Sequence, residues 1–489
     1  MITAEMTSYP VPDTAASTAL GDALRAVGYT ESAVLDLLGD DAYSLDREDT
    51  PVGERRLPGT PLATVVRAFF LELPVSRTAA IRALGRRGVD ALAATGLAEV
   101  GSDVVPLVRI LPVDELLVAS DDYPSDEADD PPDYVAAYTP TSQLCASLTP
   151  RPRVARALDV GTGSGVQALL ASRHARHVIA TDVNPRALAY TEVNAALNGI
   201  TNIECRRGSL FEPVDGEGFD LITSNAPYVV SPETRYAYRD AGLEGDEVSE
   251  RIVQEAAAHL DDGGYATLLV SWIAADPDEP DEHVLTWTDP LDCDVWILPV
   301  WGSDPIDHAA IWNEYLAGER DDYGKALDEW TAYLAQVGAR WVTEGAVVLH
   351  RRTGEVHTTR IDEIDEELLD DAGQQIQRAF AGRARVSELD RREDLLDERL
   401  ASAMPLRFAY EGGSHGSGSD GQIELAAGTH HVVETSRRML ELVSSLDGKK
   451  RLRKLVRTPV ERREALDLML ELLELGALRF SPAAAARAR

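Results

Sequence analysis

The sequence predicts an α/β fold, in which a doubly wound, mostly parallel sheet is flanked by small helical, winged-helix-like modules at the N- and C-terminal ends. Two observations predict the sheet. Apolar strands alternate with helical patterns through residues 134–352, and a glycine-rich turn joins the first strand to its helix. Parallel strands need crossover helices of this kind, and such a sheet binds its ligands at the carboxyl ends of the strands.

The central elements follow in chain order. RALDVGT (156–162) and HVIATDV (177–183) have the composition of buried strands. A helix is predicted after the second strand, with Asn184 as its N-cap, Pro185 in its first turn and Gly199 just past its end. The alternation continues through further segments: NIECRRGS (202–209) and DLITSN (220–225) as strands, SERIVQEAAAHL (249–260) as a helix and GYATLLVSWIA (264–274) as a strand.

The chain divides into four parts. Residues 1–118 carry short helical patterns followed by strands, which predicts a winged-helix-like module. Residues 119–133 are acidic and contain proline, as linkers do. The strand–helix alternation occupies 134–352, and 353–489 is predicted to hold a charged helical region and a second winged-helix-like module.

Composition limits the possible classes of protein. Of 489 residues, 44% are apolar, which is enough for several cores. The three cysteines are far apart and the ten histidines include one adjacent pair, so we expect neither disulfides nor a metal site. The N-terminus lacks a signal-peptide pattern, and no apolar run approaches the ~20 residues of a membrane span. We expect a cytoplasmic protein without a membrane partner.

The charge is uneven along the chain. The formal net charge of −36 would repel nucleic acid if it were spread evenly. Three of the four lysines, however, lie in KKRLRK (449–454), and the chain from Val433 onwards has 13 Lys and Arg against 8 Asp and Glu. Residues 449–457 are therefore a candidate nucleic-acid contact, and the alternative is an ordinary solvated helix face.

The first strand leads into a candidate nucleotide site. In LDVGTGSGVQ, Asp159 precedes Gly161, Thr162, Gly163 and Gly165. Glycines at a strand end let the backbone turn tightly and approach a ligand without a side-chain clash. A dinucleotide site usually spaces its glycines G-x-G-x-x-G, whereas the spacing here is G-x-G-x-G. An acidic group beside the turn suits a ligand with an amino group and a sulfonium better than one with phosphates.

These residues resemble the class I S-adenosylmethionine-dependent methyltransferases, over roughly 134–275. The resemblance implies a Rossmann-like core that binds S-adenosyl-L-methionine over the glycine turn, with Asp159, Gly161, Thr162, Gly163 and Gly165 as cofactor-binding residues. Asp182, at the end of the second strand, is implied to accept the ribose hydroxyls. The family's third strand commonly ends in an aspartate that binds the adenine amine, and Ser209 occupies that place.

The segment DLITSNAPYVV (220–230) ends a strand with Asn225, Ala226, Pro227 and Tyr228. This turn resembles the (Asn/Asp)-Pro-Pro-(Tyr/Phe) motif of enzymes that methylate planar nitrogens, with alanine in place of the first proline. These four are the implied catalytic residues, and Asn225 also borders the cofactor. A side-chain oxygen and a backbone carbonyl can accept both hydrogens of a planar NH2 group, while the tyrosine ring stacks on it.

The sequence leaves several alternatives for the molecule that accepts the methyl group. YRDAGLEGDEVSERIV (238–253) resembles a segment of the glutamine methyltransferases that modify peptide release factors. The first hypothesis is therefore N-methylation of a protein glutamine amide. The alternatives are methylation of an exocyclic amine of adenine or guanine in RNA or DNA, a catalytically weak methyltransferase-like regulator, and a small-molecule methyltransferase. The two extra modules favour a macromolecular partner over a small molecule.

Overall fold

The computed structural model describes residues 10–44, 49–121, 133–136, 138–232, 244–318, 320–354, 357–365, 370–410 and 421–481. Most of the acidic stretch predicted as a linker lies outside the described residues, as does the first part of the 238–253 segment. Among the described residues, no helix is both long and apolar enough to cross a membrane.

The N-terminal part is helical and ends in short strands. Its helices are α1 (Thr14–Ala26), α2 (Glu31–Leu38), α3 (Thr50–Arg56), α4 (Pro61–Phe69) and α5 (Arg77–Thr95). Its strands are β1 (Val75–Ser76), β2 (Ala98–Val100), β3 (Asp103–Pro106), β4 (Arg109–Val113) and β5 (Leu116–Ser120). Helix α5 is broken at Gly85, whose φ is 71°. From α4 to β3 the chain forms a helix, a strand, two half-helices and a hairpin, with sheet order β1-β3-β2.

An eight-stranded sheet forms the centre of the protein. Its strands are β6 (Val154–Val160), β7 (Ala175–Asp182), β8 (Ile203–Arg207), β9 (Phe219–Ser224), β10 (Leu260–Ala274), β11 (Cys293–Ser303), β12 (Trp341–Arg351) and β13 (Thr359–Ile361). The accompanying helices are α6 (Pro140–Leu148), α7 (Val166–Ser172), α8 (Pro185–Leu197), α9 (Glu247–His259), α10 (Glu282–Thr288), α11 (Pro305–Trp312) and α12 (Arg320–Gln336).

The order of the central strands is β13-β11-β12-β10-β9-β6-β7-β8. Strands β6 to β10 are mutually parallel where they pair, and β12 runs antiparallel between β10 and β11. If β6 to β11 are numbered 1 to 6, their order is the doubly wound 3-2-1-4-5-6, and the antiparallel strand β12 is inserted between the fifth and sixth strands. The predicted α/β class is confirmed, and the switch point lies between β6 and β9, where ligands of such sheets bind.

The C-terminal part contains three α-helices and five short strands among its described residues. Its helices are α13 (Ala372–Ser387), α14 (Arg437–Ser444) and α15 (Pro459–Glu474). Its strands are β14 (Leu400–Ser402), β15 (Leu406–Tyr410), β16 (Gly421–Leu425), β17 (Val432–Thr435) and β18 (Leu478–Phe480). The charged segment before residue 400 forms a 3-10 turn at Arg392–Asp397, not an α-helix, and Thr359–Ile361 joins the central sheet beyond residue 352.

Both end modules pack on the central domain. Two amides, one in α8 and one at its C-cap, bond to strand β5: Asn194 pairs with the backbone of Ala119 at 2.7 and 2.8 Å, and Asn198 pairs with that of Leu117 at 2.9 and 2.8 Å. The two amides thus satisfy backbone groups at this edge of the hairpin. The C-terminal module packs on the central domain through Gly373 of α13. A Cβ added to this glycine would be 2.2 Å from the carbonyl oxygen of Thr149, just after α6.

Candidate functional site

The turn after β6 is held by positive-φ glycines. Gly161, Gly163 and Gly165 have φ of 67°, 54° and 84°, a region that side-chain-bearing residues rarely adopt. At Gly165, an added Cβ would be 2.8 Å from Thr191 Oγ1 of α8. At Gly163, an added Cβ would meet nothing within 4 Å. The middle of the turn therefore faces open space at the switch point, while its end is packed against the protein.

Asp159 lies beneath this turn and is 2% exposed. Its carboxylate accepts hydrogen bonds from Thr162 Oγ1 at 2.7 Å, Thr223 Oγ1 at 3.0 Å and the backbone N–H of Ala168 at 3.1 Å. Burial raises the pKa of Asp159 to about 6, although these donors oppose the shift. Through these hydrogen bonds, Asp159 connects the glycine turn to β9 and α7 and so stabilises it.

Asp182 stands at the carboxyl end of β7. Its Oδ2 accepts a hydrogen bond of 3.0 Å from the Gly163 N–H, and its Oδ1 accepts one of 2.8 Å from the Asn184 N–H. Burial raises the pKa of this carboxyl group above its ordinary value. The next residue, Val183, is 50% exposed. A carboxylate and an exposed apolar side chain therefore stand together beside the open side of the glycine turn.

Ser209 follows the end of β8 and is partly exposed. Its carbonyl oxygen accepts a 3.0 Å hydrogen bond from the Glu212 N–H, which fixes the backbone. Leu210 beside it has a φ of 46°, and the Gly208 N–H bonds to the Asp182 carbonyl at 3.1 Å. The loop after β8 is thus joined to the end of β7, and the sequence-predicted cofactor residues come together along one edge of the sheet.

The Asn225–Tyr228 turn begins where β9 ends, adjacent to β6. Ala226 is 2% exposed and faces the glycine turn: a Cβ added to Gly161 would be 2.8 Å from the Ala226 Cβ and 3.0 Å from its Cα. A side chain at position 161 would therefore displace the turn. The first glycine is required here for close approach between two segments of the candidate site.

Asn225 is partly exposed and points towards helix α6. Its Nδ2 lies 3.5 Å from both Thr141 Oγ1 and Ser142 Oγ. Helix α6 is itself fixed to the glycine-turn helix by a 2.8 Å bond from Gln167 Nε2 to the Ser142 carbonyl. The nitrogen of the Asn225 amide faces these hydroxyls, which leaves its oxygen to accept a hydrogen bond from a ligand.

Tyr228 is more buried than a stacking platform would be, at 9% exposure. Its ring belongs to the same apolar cluster as Leu144 and Cys145 of α6. Its carbonyl oxygen accepts a hydrogen bond from Ser271 Oγ of β10. Tyr228 therefore forms a fixed wall of the site.

Helix α11 supports the chain that leaves this turn. His308 is fully buried, and its Nε2 lies 3.0 Å from the Val230 carbonyl oxygen. Burial lowers the pKa of His308 to about 4, so the ring is neutral near pH 7 and donates this hydrogen bond. Trp312 Nε1 donates a 2.9 Å hydrogen bond to Glu344 Oε1 of β12. Helix α11 follows β11 in the chain and contacts the segment just after the Asn225–Tyr228 turn through His308.

The sequence reasoning missed several residues that shape the site: Thr141, Ser142, Val183, Ser271 and His308. Only Val183 has a signal in the sequence. It directly follows Asp182 at the end of strand β7, where an apolar side chain has no buried position to occupy. The hydroxyls of α6 and β10 and the buried histidine carry no local signal, because only the folded chain brings them to the Asn225–Tyr228 turn.

Comparisons with known proteins agree with this geometry. Residues 139–274 match a family model described as "Methyltransferase small domain", and residues 26–108 match one described as "Domain of unknown function (DUF7059)". The first match covers β6 to β10, the glycine turn and the Asn225–Tyr228 turn. The central domain has the Rossmann-like fold of the class I S-adenosylmethionine-dependent methyltransferases, as the sequence resemblance predicted.

Several curated proteins that are similar to part of the chain are glutamine methyltransferases. The release factor glutamine methyltransferase of Geobacter sulfurreducens is 34% identical over 132 residues, 24% of this chain and 46% of that protein. That of Deinococcus radiodurans is 40% identical over 125 residues, 23% of this chain and 44% of that protein. The ribosomal protein uL3 glutamine methyltransferase of Bradyrhizobium diazoefficiens is 37% identical over 125 residues, 23% of this chain and 39% of that protein. The chain thus spans less than half the length of these three relatives.

Proposed function

We propose that this protein is an S-adenosylmethionine-dependent N-methyltransferase that methylates the side-chain amide of a protein glutamine. The contact between Ala226 and Gly161 is the observation that carries the proposal, because it joins an amide-binding turn to a cofactor-type glycine turn. The match of residues 139–274 to a methyltransferase domain and the similarity of part of the chain to glutamine methyltransferases support the same acceptor.

The residues present fit S-adenosyl-L-methionine. The space above Gly163 admits a ligand against bare backbone. Asp182 offers carboxylate oxygens to the ribose hydroxyls, and the exposed Val183 suits one face of a purine. In this proposal, the Ser209 hydroxyl binds adenine. Asp159, which already has three protein donors, would act by holding the glycine turn in its ligand-binding shape.

The chemistry explains why the turn carries an amide and a free carbonyl. When bound, the cofactor supplies an electrophilic methyl group on a sulfonium. A glutamine amide nitrogen is a poor nucleophile, because its lone pair is delocalised into the carbonyl group. In this proposal, the Asn225 side-chain oxygen and the Ala226 backbone carbonyl accept the two N–H groups and hold the nitrogen in one orientation.

The fixed walls of the site limit the motion of that amide. Tyr228 is held by its backbone bond to Ser271, and Val230 by its bond to the buried His308. Both anchors hold the segment just after the turn, so the acceptor meets a site that is already organised. A glutamine in a translation protein would be a macromolecular acceptor, and it would place the enzyme in the cytoplasm.

The acceptor can be identified with radiolabelled cofactor. The purified protein is incubated with methyl-labelled S-adenosylmethionine and lysate from a strain that lacks the gene, and the products are treated with nuclease or protease. We expect label that survives nuclease and is lost with protease, and mass spectrometry that finds N5-methylglutamine in one protein.

Other outcomes would reject the glutamine assignment. Nuclease-sensitive label would make the acceptor a nucleobase. Labelled products of low mass would make it a small molecule. Cofactor binding in calorimetry without any labelled product, in lysates prepared from several growth phases, would favour a regulator that does not catalyse. An Asn225→Ala protein, run in parallel, shows the background of each fraction.

A further inference from the structure

A strongly basic patch lies on the C-terminal module, away from any role in the chemistry above. Residues 449–463, which run from the loop before α15 into its first turns, contain eight Lys and Arg and a single acidic residue, Glu461. The whole chain has a net charge of −36, so this segment has the opposite sign to the chain as a whole. We call the cations of residues 449–463 the basic patch.

Ion pairs account for only part of this charge. Arg451 and Arg453 share Asp397, and Lys449 lies 3.6 Å from Asp447. In the part of the chain that the structure describes, the other five cations have no ion-pair partner and are exposed: Lys450, Lys454, Arg457, Arg462 and Arg463. An excess of unpaired positive charge on an acidic protein is available to an anionic partner.

The loop that presents the basic patch is held in place. Leu452 and Val456 are buried at 1% and 5% exposure beneath it. The Leu452 N–H donates a 3.0 Å hydrogen bond to the Glu398 carbonyl, and the Gly448 N–H donates one of 3.0 Å to the Leu400 carbonyl. Thr458 and Glu461 form a capping box that fixes the start of α15. The cations therefore project from an ordered backbone, which lowers the entropic cost of binding.

The chemistry of the basic patch narrows the choice of polyanion. It contains no aromatic residue on which unpaired bases could stack, so it is poorly suited to single strands. Further along α15, Asp467 and Glu471 are exposed, and Asp467 pairs with Arg392. The exposed carboxylate of Glu471 would disfavour insertion of this helix into the major groove of DNA, which is how helix–turn–helix proteins bind. Double-stranded RNA is bound largely by shape and by contacts to phosphates, without insertion of a helix into the major groove.

We infer that the basic patch docks this protein on the phosphate backbone of double-stranded RNA. The contact is electrostatic and independent of base sequence, and it lies outside the methyl-transfer site. In this way a chain with a large negative charge gains one surface that adheres to RNA. The inference does not depend on the identity of the methyl acceptor, because the binding measurement requires no transfer reaction.

The test uses the full-length protein and a fluorescein-labelled RNA duplex of about 20 base pairs, a length that spans a typical duplex-binding module. Anisotropy titrations at a series of salt concentrations are compared for the RNA duplex, a DNA duplex of the same sequence and the single RNA strand. The variant Lys450→Ala/Lys454→Ala/Arg457→Ala removes three unpaired cations. A matched control, Arg153→Ala/Arg176→Ala/Arg340→Ala, removes equal charge from exposed positions of the central domain.

We expect the RNA duplex to bind most tightly, with an affinity that falls as salt rises. The patch variant should bind about tenfold or more weakly, and its slope of log affinity against log salt should be shallower by about 3, close to one unit per lost phosphate contact. The control should retain at least half of the wild-type affinity. Circular dichroism checks that the triple variant is folded, and Lys454→Ala alone should give about one third of the slope change.

Three results would overturn the inference. Absence of binding at low salt would show that the negative charge of the chain prevails. Equal or tighter binding of the DNA duplex or the single strand would assign the basic patch to another ligand. An equal loss of affinity in the control variant would show that the basic patch has no special role. Each of these results can occur whether or not glutamine methylation is found.

Discussion

Ala226 lies against Gly161, so closely that a Cβ at position 161 would be 2.8 Å from the alanine methyl group. This contact joins the ends of β6 and β9, which are neighbours in the sheet although Gly161 and Ala226 are far apart in sequence. The amide-presenting turn therefore has its position set by the glycine turn. A disturbance at either residue should reach both halves of the site.

The substitution Gly161→Ala tests this coupling. We expect it to lower kcat by about tenfold or more, because the added methyl group displaces the turn that orients the acceptor. The positive φ of 67° adds strain of about 1 kcal/mol or more to the folded state. Turnover and thermal unfolding of the purified variant measure the two effects.

Gly163→Ala is the matched control for that variant. Its φ of 54° imposes similar strain, but its added Cβ would meet no protein atom within 4 Å. We expect weaker cofactor binding, because the methyl group occupies the open side of the turn, and a smaller effect on acceptor orientation. If both variants lose kcat and cofactor affinity in the same proportion, the Ala226 contact has no separate role.

Asn225→Ala should lower turnover by about 100-fold or more while cofactor affinity changes little, since the lost oxygen orients only the acceptor. Asn225→Gln, which keeps the amide but lengthens the side chain by one methylene, should also fail because the oxygen is misplaced. Calorimetry with S-adenosylmethionine and a methyl-transfer assay measure the two quantities. A parallel fall in cofactor affinity would show that Asn225 mainly supports the cofactor.

Ala226→Pro examines the departure from the double-proline pattern. Proline would restrict the turn in the unbound protein, and such restriction is worth about 0.4–1 kcal/mol where the backbone permits it. Proline would also remove the Ala226 N–H, which donates a 3.4 Å hydrogen bond to Ser224 Oγ. We therefore expect the thermal midpoint to change little and kcat to increase about two- to fivefold. A fall in both quantities would show that the alanine conformation is incompatible with proline, and that the Gly161 contact was fitted to the smaller side chain.

Asp182→Ala should weaken cofactor binding by about 10- to 100-fold, the range for hydrogen bonds to a charged group. Asp215→Ala, at an exposed carboxylate of the same domain, is the control for the change in charge. Because burial raises the pKa of Asp182, wild-type affinity should begin to fall at a higher pH than an ordinary aspartate would give. Unchanged affinity in Asp182→Ala would refute the ribose assignment.

The fold of the central domain could be predicted because its signals are local. The glycine spacing of the first turn, the caps of the 184–199 helix and the polar residues after each strand identify a doubly wound sheet and its ligand edge. The Asn225–Tyr228 turn was found for the same reason: an amide, a proline and an aromatic residue directly after a buried strand are unusual for packing alone.

Contacts between residues that are far apart in the chain could not be predicted from the sequence. The pairing of Asn194 and Asn198 with strand β5 depends on amides that look like ordinary polar positions of a helix. The support of Val230 by His308 joins residues 78 positions apart. In the C-terminal part, the charged composition of 392–397 predicts an α-helix, whereas the segment forms a 3-10 helix. Tertiary contacts decide such cases, and neither periodicity nor composition records them.

Burial of His308 makes the free energy of unfolding depend on pH. In the folded protein its pKa is lowered to about 4 by burial, whereas an unfolded histidine titrates near pH 6.5. Between these values the unfolded state binds more protons, so the free energy of unfolding falls as pH falls. The stability contributed by the neutral ring is complete above about pH 6.5, and about 2 kcal/mol of it is lost by pH 5.

The variant His308→Gln isolates this effect, because glutamine can still donate to the Val230 carbonyl but does not titrate. Chemical denaturation followed by tryptophan fluorescence, which reports on the buried Trp272, Trp287 and Trp296 of the central domain, gives the free energy of unfolding at pH 7.5 and pH 5. The wild type should lose about 2 kcal/mol more than the variant over this interval. Equal losses would mean that His308 is protonated in the folded protein, in which case Glu344, 3.9 Å from its Nδ1, would be its partner.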